Sequence, residues 1–326
     1  MTNPKGSGDS AAYYSQRMTP DGDVVWSRVW APSATPTHHD YEARAAAAVS
    51  DGVVLVGRHR TNLGSVLAAP FTDIRVVKMA SGNGDVEWSR SDDFAVYATD
   101  VGADVGGEVV VSGWTELGGG GEGLLYRIDD AGDLVASPSY LPGRFPIKHA
   151  TFNGGAFVVA RSNSVAPLGR LQRKNSGFGT LWDQDIWNND PYTLTNPLDV
   201  AAVDGSGVVA VGLGDPSFSS TPWVVRYDGA GTPDWAVETG DFASLGSPYG
   251  VALTPEGDVV VAGTREGGPW LARLSVDGET MWSRTLDENG AFYAVVISGP
   301  LATPVACGAI AGGTEGDNIF LAAYTP

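Results

Sequence analysis

The residues that could do chemistry are few. Four histidines occur in the chain: His38 and His39 in THHD, His59 in GRHR, and His149 beside Lys148. A His-His-Asp run joined by a third imidazole could hold a divalent transition metal, because neutral imidazole nitrogens suit such ions. His38, His39 and His59 are therefore the candidate metal ligands, and no other cofactor is implied. A second set is mostly basic: Arg58, His59, Arg60, Trp114, Lys148, His149, Arg161, Arg265 and Glu266. Guanidinium groups form paired hydrogen bonds with carboxylates and phosphates, so this set would take a small anionic ligand or an acidic protein segment. The common catalytic signatures are missing. The chain has no nucleophile elbow, HExxH helix, Walker loop or GxGxxG opening a helix. GGGGEG at 118–123 is Gly-rich, but no helix start follows it to cradle a phosphate.

Something rigid must position these residues, and it is a repeat. One half-unit is a strand, a Gly turn and a strand entered by tryptophan: PDGDVVW (Trp26), GNGDVEW (Trp88), GFGTLW (Trp182), GAGTPDW (Trp235) and VDGETMW (Trp282). A sixth copy, DAGDLVA, has Ala136 in place of the tryptophan. The other half-unit is an apolar strand, a turn and a Val-rich strand, clearest in VALTPEGDVVVAG and VAAVDGSGVVAVG. Runs of β-branched and apolar residues bounded by Gly, Asp and Pro are the signature of strands and hairpins. Helical periodicity never persists. Even the Ala-rich YEARAAAAV at 41–49 aligns with strand positions of the other copies and is read as a strand.

Naming the Val-rich pair A and B and the pair around the tryptophan turn C and D, the chain opens on C–D and closes on A–B plus a C-like strand. Four strands per unit, at about fifty residues, predict an all-β chain folded as a β-propeller. Six four-stranded blades follow from the count, with seven as the alternative. The ring is expected to close with N- and C-terminal strands in one blade, which removes two free sheet edges. Residues 1–12 read as a flexible linker and residues 13–326 as one propeller domain. Aligned on strand A, Arg44, Asp100, Lys148, Asp199, Gly250 and Ala294 share a position on the strand that would line a central channel. The four charges there could compensate one another in water or hold a ligand. The basic set falls in the D–A and B–C connections, which are long and unlike one another, whereas the A–B and C–D turns are short and uniform.

The stretch WLARLSVDGETMWSRT, with its following hairpin, resembles the repeats of bacterial propellers of the SBBP type and of the PQQ-like superfamily, best over residues 198–288. That resemblance implies a propeller and is nearly silent on activity. Quinone-dependent members look as if they need an adjacent cysteine pair, and here Cys307 stands alone.

Composition narrows the partners. The formal charge is −18, which opposes a phosphate backbone and an anionic membrane surface alike. No apolar run is long enough to span a bilayer. One cysteine permits no internal disulfide. A tryptophan recurring at one repeat position is expected to pack between sheets rather than to stack on sugars, and the Asp-Gly turns are hairpin chemistry rather than calcium loops. The expected function is a non-catalytic, extracytoplasmic (secreted or periplasmic) binding or scaffold propeller using the D–A and B–C face, its export signal lying outside this sequence. The alternatives are a metal-dependent hydrolase or lyase working at the channel mouth and a glycan-binding lectin.

Overall fold

A computed structural model describes residues 13–19, 23–30, 38–62, 71–92, 97–103, 107–115, 122–141, 147–153, 156–161, 169–186, 195–203, 207–214, 222–237, 247–298, 303–310 and 318–323. These residues form antiparallel sheets and no helix. The chain divides into two compact units, residues 1–150 and 151–326.

The first unit holds a two-stranded ribbon, β1 (Tyr13–Met18) with β2 (Val24–Trp30), followed by two four-stranded sheets. One comprises β3 (His38–Ala48), β4 (Gly52–Asn62), β5 (Phe71–Ala80) and β6 (Val86–Asp92). The other comprises β7 (Tyr97–Ala103), β8 (Val109–Thr115), β9 (Glu122–Ile128) and β10 (Leu134–Leu141). The second unit repeats the pattern. Its sheets are β11 (Ile147–Asn153, across the division) to β14 (Thr180–Asp185), β15 (Thr195–Val203) to β18 (Pro233–Val237), and β19 (Ser247–Leu253) to β22 (Thr280–Thr285). A three-stranded sheet follows: β23 (Gly290–Ser298), β24 (Thr303–Ile310) and β25 (Asn318–Ala323). Every sheet is a meander in chain order, as the A–B–C–D reading expects. The expectation of six four-stranded sheets is met in part. Five have four strands, and β2 pairs with β1, so β23–β25 has three strands among the described residues.

The B strands explain why the sequence shows Val runs rather than alternation. In β16 (Gly207–Gly214), Val208 and Ala210 pack toward the preceding sheet with Leu171 and Val158, while Val209 and Val211 pack toward the following sheet with Val259 and Val261. All four are fully buried. A strand sandwiched on both faces needs apolar residues at every position. The first unit does the same with Val54, Val56, Val109, Val111 and Tyr126, and Trp26 of the ribbon caps Leu55, Val77 and Met79.

Stacking is locked by one repeated contact. The Trp88 indole N–H donates to the Asp130 carbonyl at 2.9 Å. Trp26 donates to Ser81, Trp182 to Gly229 and Trp235 to Val276, at 2.9, 3.0 and 2.7 Å. Each ring thus reaches the C–D turn of the following sheet. It lies on that turn's glycine, where φ is positive and an added Cβ would stand 2.9 Å from the ring of Trp88, Trp182 or Trp235. Cross-strand from each tryptophan is a base: Arg17, Lys78, Arg173, Arg226 or Arg273. Lys78 is 2% exposed and meets Asp51, Glu87 and Asp130. Burial opposes its charge, but the hydrogen bonds it donates to Asp130, Asp51 and Glu87 outweigh that and hold the ammonium above its ordinary proton affinity. The turn acids work as caps. The Asp228 carboxylate accepts from the Ala230 and Thr232 N–H groups, and Asp129 does the same for Ala131 and Asp133.

Candidate functional site

The short-turn end of each sheet is therefore occupied by contacts that recur from sheet to sheet. The opposite end, where B–C and D–A connections meet, differs in every sheet, and the candidate residues lie there.

Two features of the backbone position them. Five A strands, β3, β7, β15, β19 and β23, carry a register shift, between Ala43 and Ala45, Ala98 and Asp100, Pro197 and Asp199, Pro248 and Gly250, and Phe292 and Ala294. The extra residue of a bulge turns its side chain out of the regular alternation. Opposite each bulge the B strand carries a glycine: Gly57, Gly113, Gly212, Gly263 or Gly308. At Gly113, Gly212, Gly263 and Gly308 a Cβ would strike the carbonyl of the A strand.

The bulge corrects the channel alignment. Asp100, Asp199, Gly250 and Ala294 are equivalent, paired with Ser112, Val211, Ala262 and Cys307. Their partner in the first sheet is Ala45, paired with Val56, whereas Arg44 is the bulged residue itself, equivalent to Thr99, Leu198, Tyr249 and Tyr293. The bulge is common to these strands; the offset comes from the A–B turn, where four residues separate the paired Ala48 and Val53 and five separate Leu253 and Val259. Asp199 is used by the scaffold: its carboxylate accepts from its neighbour Val200 N–H and from Val251 N–H in the next A strand, both at 2.7 Å. Tyr249 and Tyr293, on adjoining A strands, lie 5.7 Å apart between ring centroids. Burial, then Tyr293, push the Tyr249 hydroxyl above its usual proton affinity.

One residue beyond the glycine, the cross-strand pairs diverge. They are Glu42–Arg58, Tyr97–Trp114, Asn196–Leu213, Ser247–Thr264 and Ala291–Ala309. In the first unit two of these pairs meet. Tyr97 and Trp114 stack with centroids 4.5 Å apart and planes at 11°, and the Arg58 guanidinium carbon lies 5.4 Å from the Tyr97 centroid. Glu42 holds both Arg58 Nε and Arg44 Nη2 at 2.7 Å.

His59 sits just behind, 7% exposed. Its Nδ1 is 2.7 Å from Asp73 Oδ1, and the other Asp73 oxygen accepts from the Ser91 hydroxyl and lies 3.4 Å from Arg75. The carboxylate stands between serine and histidine. This order cannot activate the serine, because a nucleophilic hydroxyl must donate to the imidazole.

Arg265 and Glu266 belong to a separate cleft of about 260 Å³ in the second unit, formed by the β20–β21 turn and the β22–β23 connection. Glu266 has φ 53 and Gly267 φ 84, and the Thr264 hydroxyl lies within donating distance of two alternative acceptors, the Gly290 carbonyl at 2.9 Å and the Gly268 carbonyl at 3.1 Å. One cation, Arg265, faces the carboxylates of Glu266, Asp287 and Glu288. The cleft is thus acidic, opposite to the basic character expected of this end. Asp287, Glu288 and Asn289 carried no signal in the sequence beyond lying in a D–A connection. The side chains of His38, His39, Arg60, Lys148, His149 and Arg161 lie outside the described residues. His38 and His39 are on β3 opposite Asn62 and Thr61. Among the described residues no group of three His, Cys, Asp or Glu side chains is gathered as for a metal ion.

No protein-family model matches the chain, and no curated protein matches it. The solved structures that match it include two β-rich proteins. A protein of unknown function from Bacteroides caccae aligns with TM-score 0.40 and 9% identity over 61% of this chain and 68% of its own. A luciferin-regenerating enzyme aligns with TM-score 0.48 and 13% identity over 81% of this chain and 83% of its own.

Proposed function

We propose that the chain is a six-bladed β-propeller that works as a non-catalytic, extracytoplasmic binding or scaffold module, with its ligands taken at the D–A and B–C end. Five blades are the four-stranded sheets, and the sixth is the one that N- and C-terminal strands are expected to close, its surplus C-like strand being β1 or β25. One observation carries the functional reading. At the short-turn end the indole-to-carbonyl contact is made four times, whereas at the other end equivalent positions hold Arg58, Trp114, Leu213, Thr264 and Ala309. Irregular, chemically varied residues on a rigid frame are where binding usually resides. A small anion or an acidic protein segment is the ligand class, drawn to Arg44 and Arg58 in a chain that is otherwise strongly acidic. No metal is needed for such binding. The location outside the cytoplasm rests on the resemblance to bacterial propeller repeats.

The test is calorimetry of the whole chain with small mono- and dicarboxylates, phosphate and an Asp/Glu-rich peptide, set against a variant with Arg44, Arg58 and Arg265 changed to alanine. Binding by the parent that disappears in the variant, with circular dichroism unchanged, supports the reading. Equal heats in both proteins overturn it.

A further inference from the structure

The cleft between the turn from β20 (Val259–Arg265) to β21 (Gly268–Leu274) and the β22–β23 connection is lined by four charged side chains: Arg265, Glu266, Asp287 and Glu288. None of the four makes an ion pair or a side-chain hydrogen bond with a described residue. Arg265 is the most telling. Among the described residues, the guanidinium Nε atoms of Arg75, Arg127, Arg170, Arg173 and Arg265 are shut from water without a hydrogen-bond acceptor. The first four belong to guanidinium groups already held by Asp73, Glu108, Asp183 or the Gly229 carbonyl. Arg265 has no such partner, although three carboxylates share its cleft. A half-buried guanidinium with every nitrogen unpaired lacks the oxygen acceptors that such a group ordinarily finds.

The walls of the cleft are fixed. The Gly290 N–H donates to the Gly267 carbonyl at 2.7 Å and the Leu286 N–H to the Pro269 carbonyl at 2.9 Å, so turn and connection are tied at two points. The volume of about 260 Å³ lies below the roughly 300–1,000 Å³ of pockets for drug-sized molecules, which sets the occupant at the size of a small metabolite. Leu286 is the one aliphatic side chain on the wall, so an apolar ligand gains little there. Glu266, Asp287 and Glu288 are exposed while Arg265 is half-buried, which sets the positive group deeper than the negative ones. The acids are not gathered as for a metal ion. They suit charges spread along a chain rather than one point charge.

We infer that this cleft binds a free basic α-amino acid of the lysine or ornithine kind. Its carboxylate bonds to the guanidinium of Arg265, and its two ammonium groups bond to the carboxylates at the rim. A simple anion would meet three carboxylates, and a simple diamine would meet Arg265. A zwitterion with a second ammonium pairs with both signs of the lining. The inference keeps the binding end of the proposed role and goes beyond it, adding a second ligand class in a separate cleft.

The experiment is titration calorimetry of the full chain at low ionic strength with L-lysine, cadaverine and 6-aminohexanoate. Lysine should bind at least about tenfold more tightly than cadaverine, which lacks the carboxylate, and than 6-aminohexanoate, which lacks the α-ammonium. Arg265→Met should weaken lysine about tenfold and leave cadaverine unmoved or tighter. Asp287→Asn combined with Glu288→Gln, both at exposed positions, should weaken lysine and cadaverine together. That double variant decides the matter if Arg265→Met fails to fold. Lysine binding that ignores the double variant overturns the inference, as does an Arg265→Met protein that keeps its preference for lysine or loses both ligands alike. A parent that binds no lysine also overturns it; if small carboxylates still bind, the wider binding role stands.

Discussion

Changing Gly231 to alanine tests the idea that the tryptophan and the turn glycine are one device. Gly231 has φ 82, and a Cβ placed on it would lie 2.9 Å from Cδ2 of Trp182 and 3.0 Å from Cγ of Gln184. The left-handed backbone costs an alanine about 1–2 kcal/mol. The indole must also retreat, which weakens its 3.0 Å bond to the Gly229 carbonyl by about 1 kcal/mol. Gly231→Ala should therefore destabilise by about 2–4 kcal/mol, and Trp182→Ala, which opens a cavity, by about 3–5 kcal/mol. In the double variant the collision has no partner, and only the backbone cost of about 1–2 kcal/mol is added. Equilibrium urea unfolding of all four proteins should give a coupling of at least about 1 kcal/mol. Additivity within about 0.5 kcal/mol would refute the device. The sequence contains a counterpart of the double variant: Phe178 stands at the turn-glycine position with φ 66, and Ala136 stands at the tryptophan position of the preceding repeat. Phe178 packs instead edge-on to Phe157 of its own sheet, at 5.6 Å.

Lys78→Met leaves Asp51, Glu87 and Asp130 facing one another and should cost about 3–5 kcal/mol in urea unfolding. In the parent, the hydrogen bond from Lys78 holds the Asp51 carboxyl below its ordinary 3.8. That contribution is complete above 3.8 and disappears as pH falls through the lower folded value, while the raised Lys78 loses its contribution only in strong alkali. Stability should thus fall below roughly pH 4, and the acid-side slope should be shallower in Lys78→Met; matching slopes would disprove the link. Asp199→Ala orphans the Val251 N–H and should cost about 1–3 kcal/mol, with Asp199→Asn milder; equal losses would show that the acceptor is irrelevant. Deleting residues 1–30 removes Trp26 from Leu55, Val77 and Met79 and should abolish cooperative melting or cause aggregation. An unchanged melting curve would mean that the ribbon is not part of the frame.

Strand order and type were legible because turn chemistry and Val runs are local signals. The Ala-rich 41–49 stretch is the clearest case: its intrinsic preference is helical, yet β3 pairs along its length with β4. Repeat alignment outweighed propensity because ladder pairing and burial between sheets outweigh a few tenths of a kcal/mol per residue. The base opposite each tryptophan is equally visible in the sequence. It recurs just before the turn in QRMTPDG, VKMASGNG, YRIDDAG, QRKNSGFG, VRYDGAG and ARLSVDG. The bulges were not visible. Nor was the length of each A–B turn: the first is one residue shorter than that between Leu253 and Val259, which moves Arg44 one place from Asp100 and Asp199. The partners of Arg58 and His59 were hidden for a related reason: Glu42, Asp73 and Tyr97 are distant in sequence and are brought near only by pairing and stacking.

The two ends of the sheets divide the work of the chain. Where a contact recurs from sheet to sheet, as the indole-to-carbonyl bond does, its residues are committed to holding neighbours together. A change there costs stability. Where the backbone geometry recurs but the side chains differ, as at the bulge and the pair beyond its glycine, the frame constrains position and leaves identity open. Ala291–Ala309 and Tyr97–Trp114 occupy the same place and differ only in what they can touch. The ladder therefore does not require the larger pair, because the smaller one completes it in another sheet. A rigid strand sandwiched between apolar faces holds such a ring in one orientation, so its ordering costs little further conformational freedom.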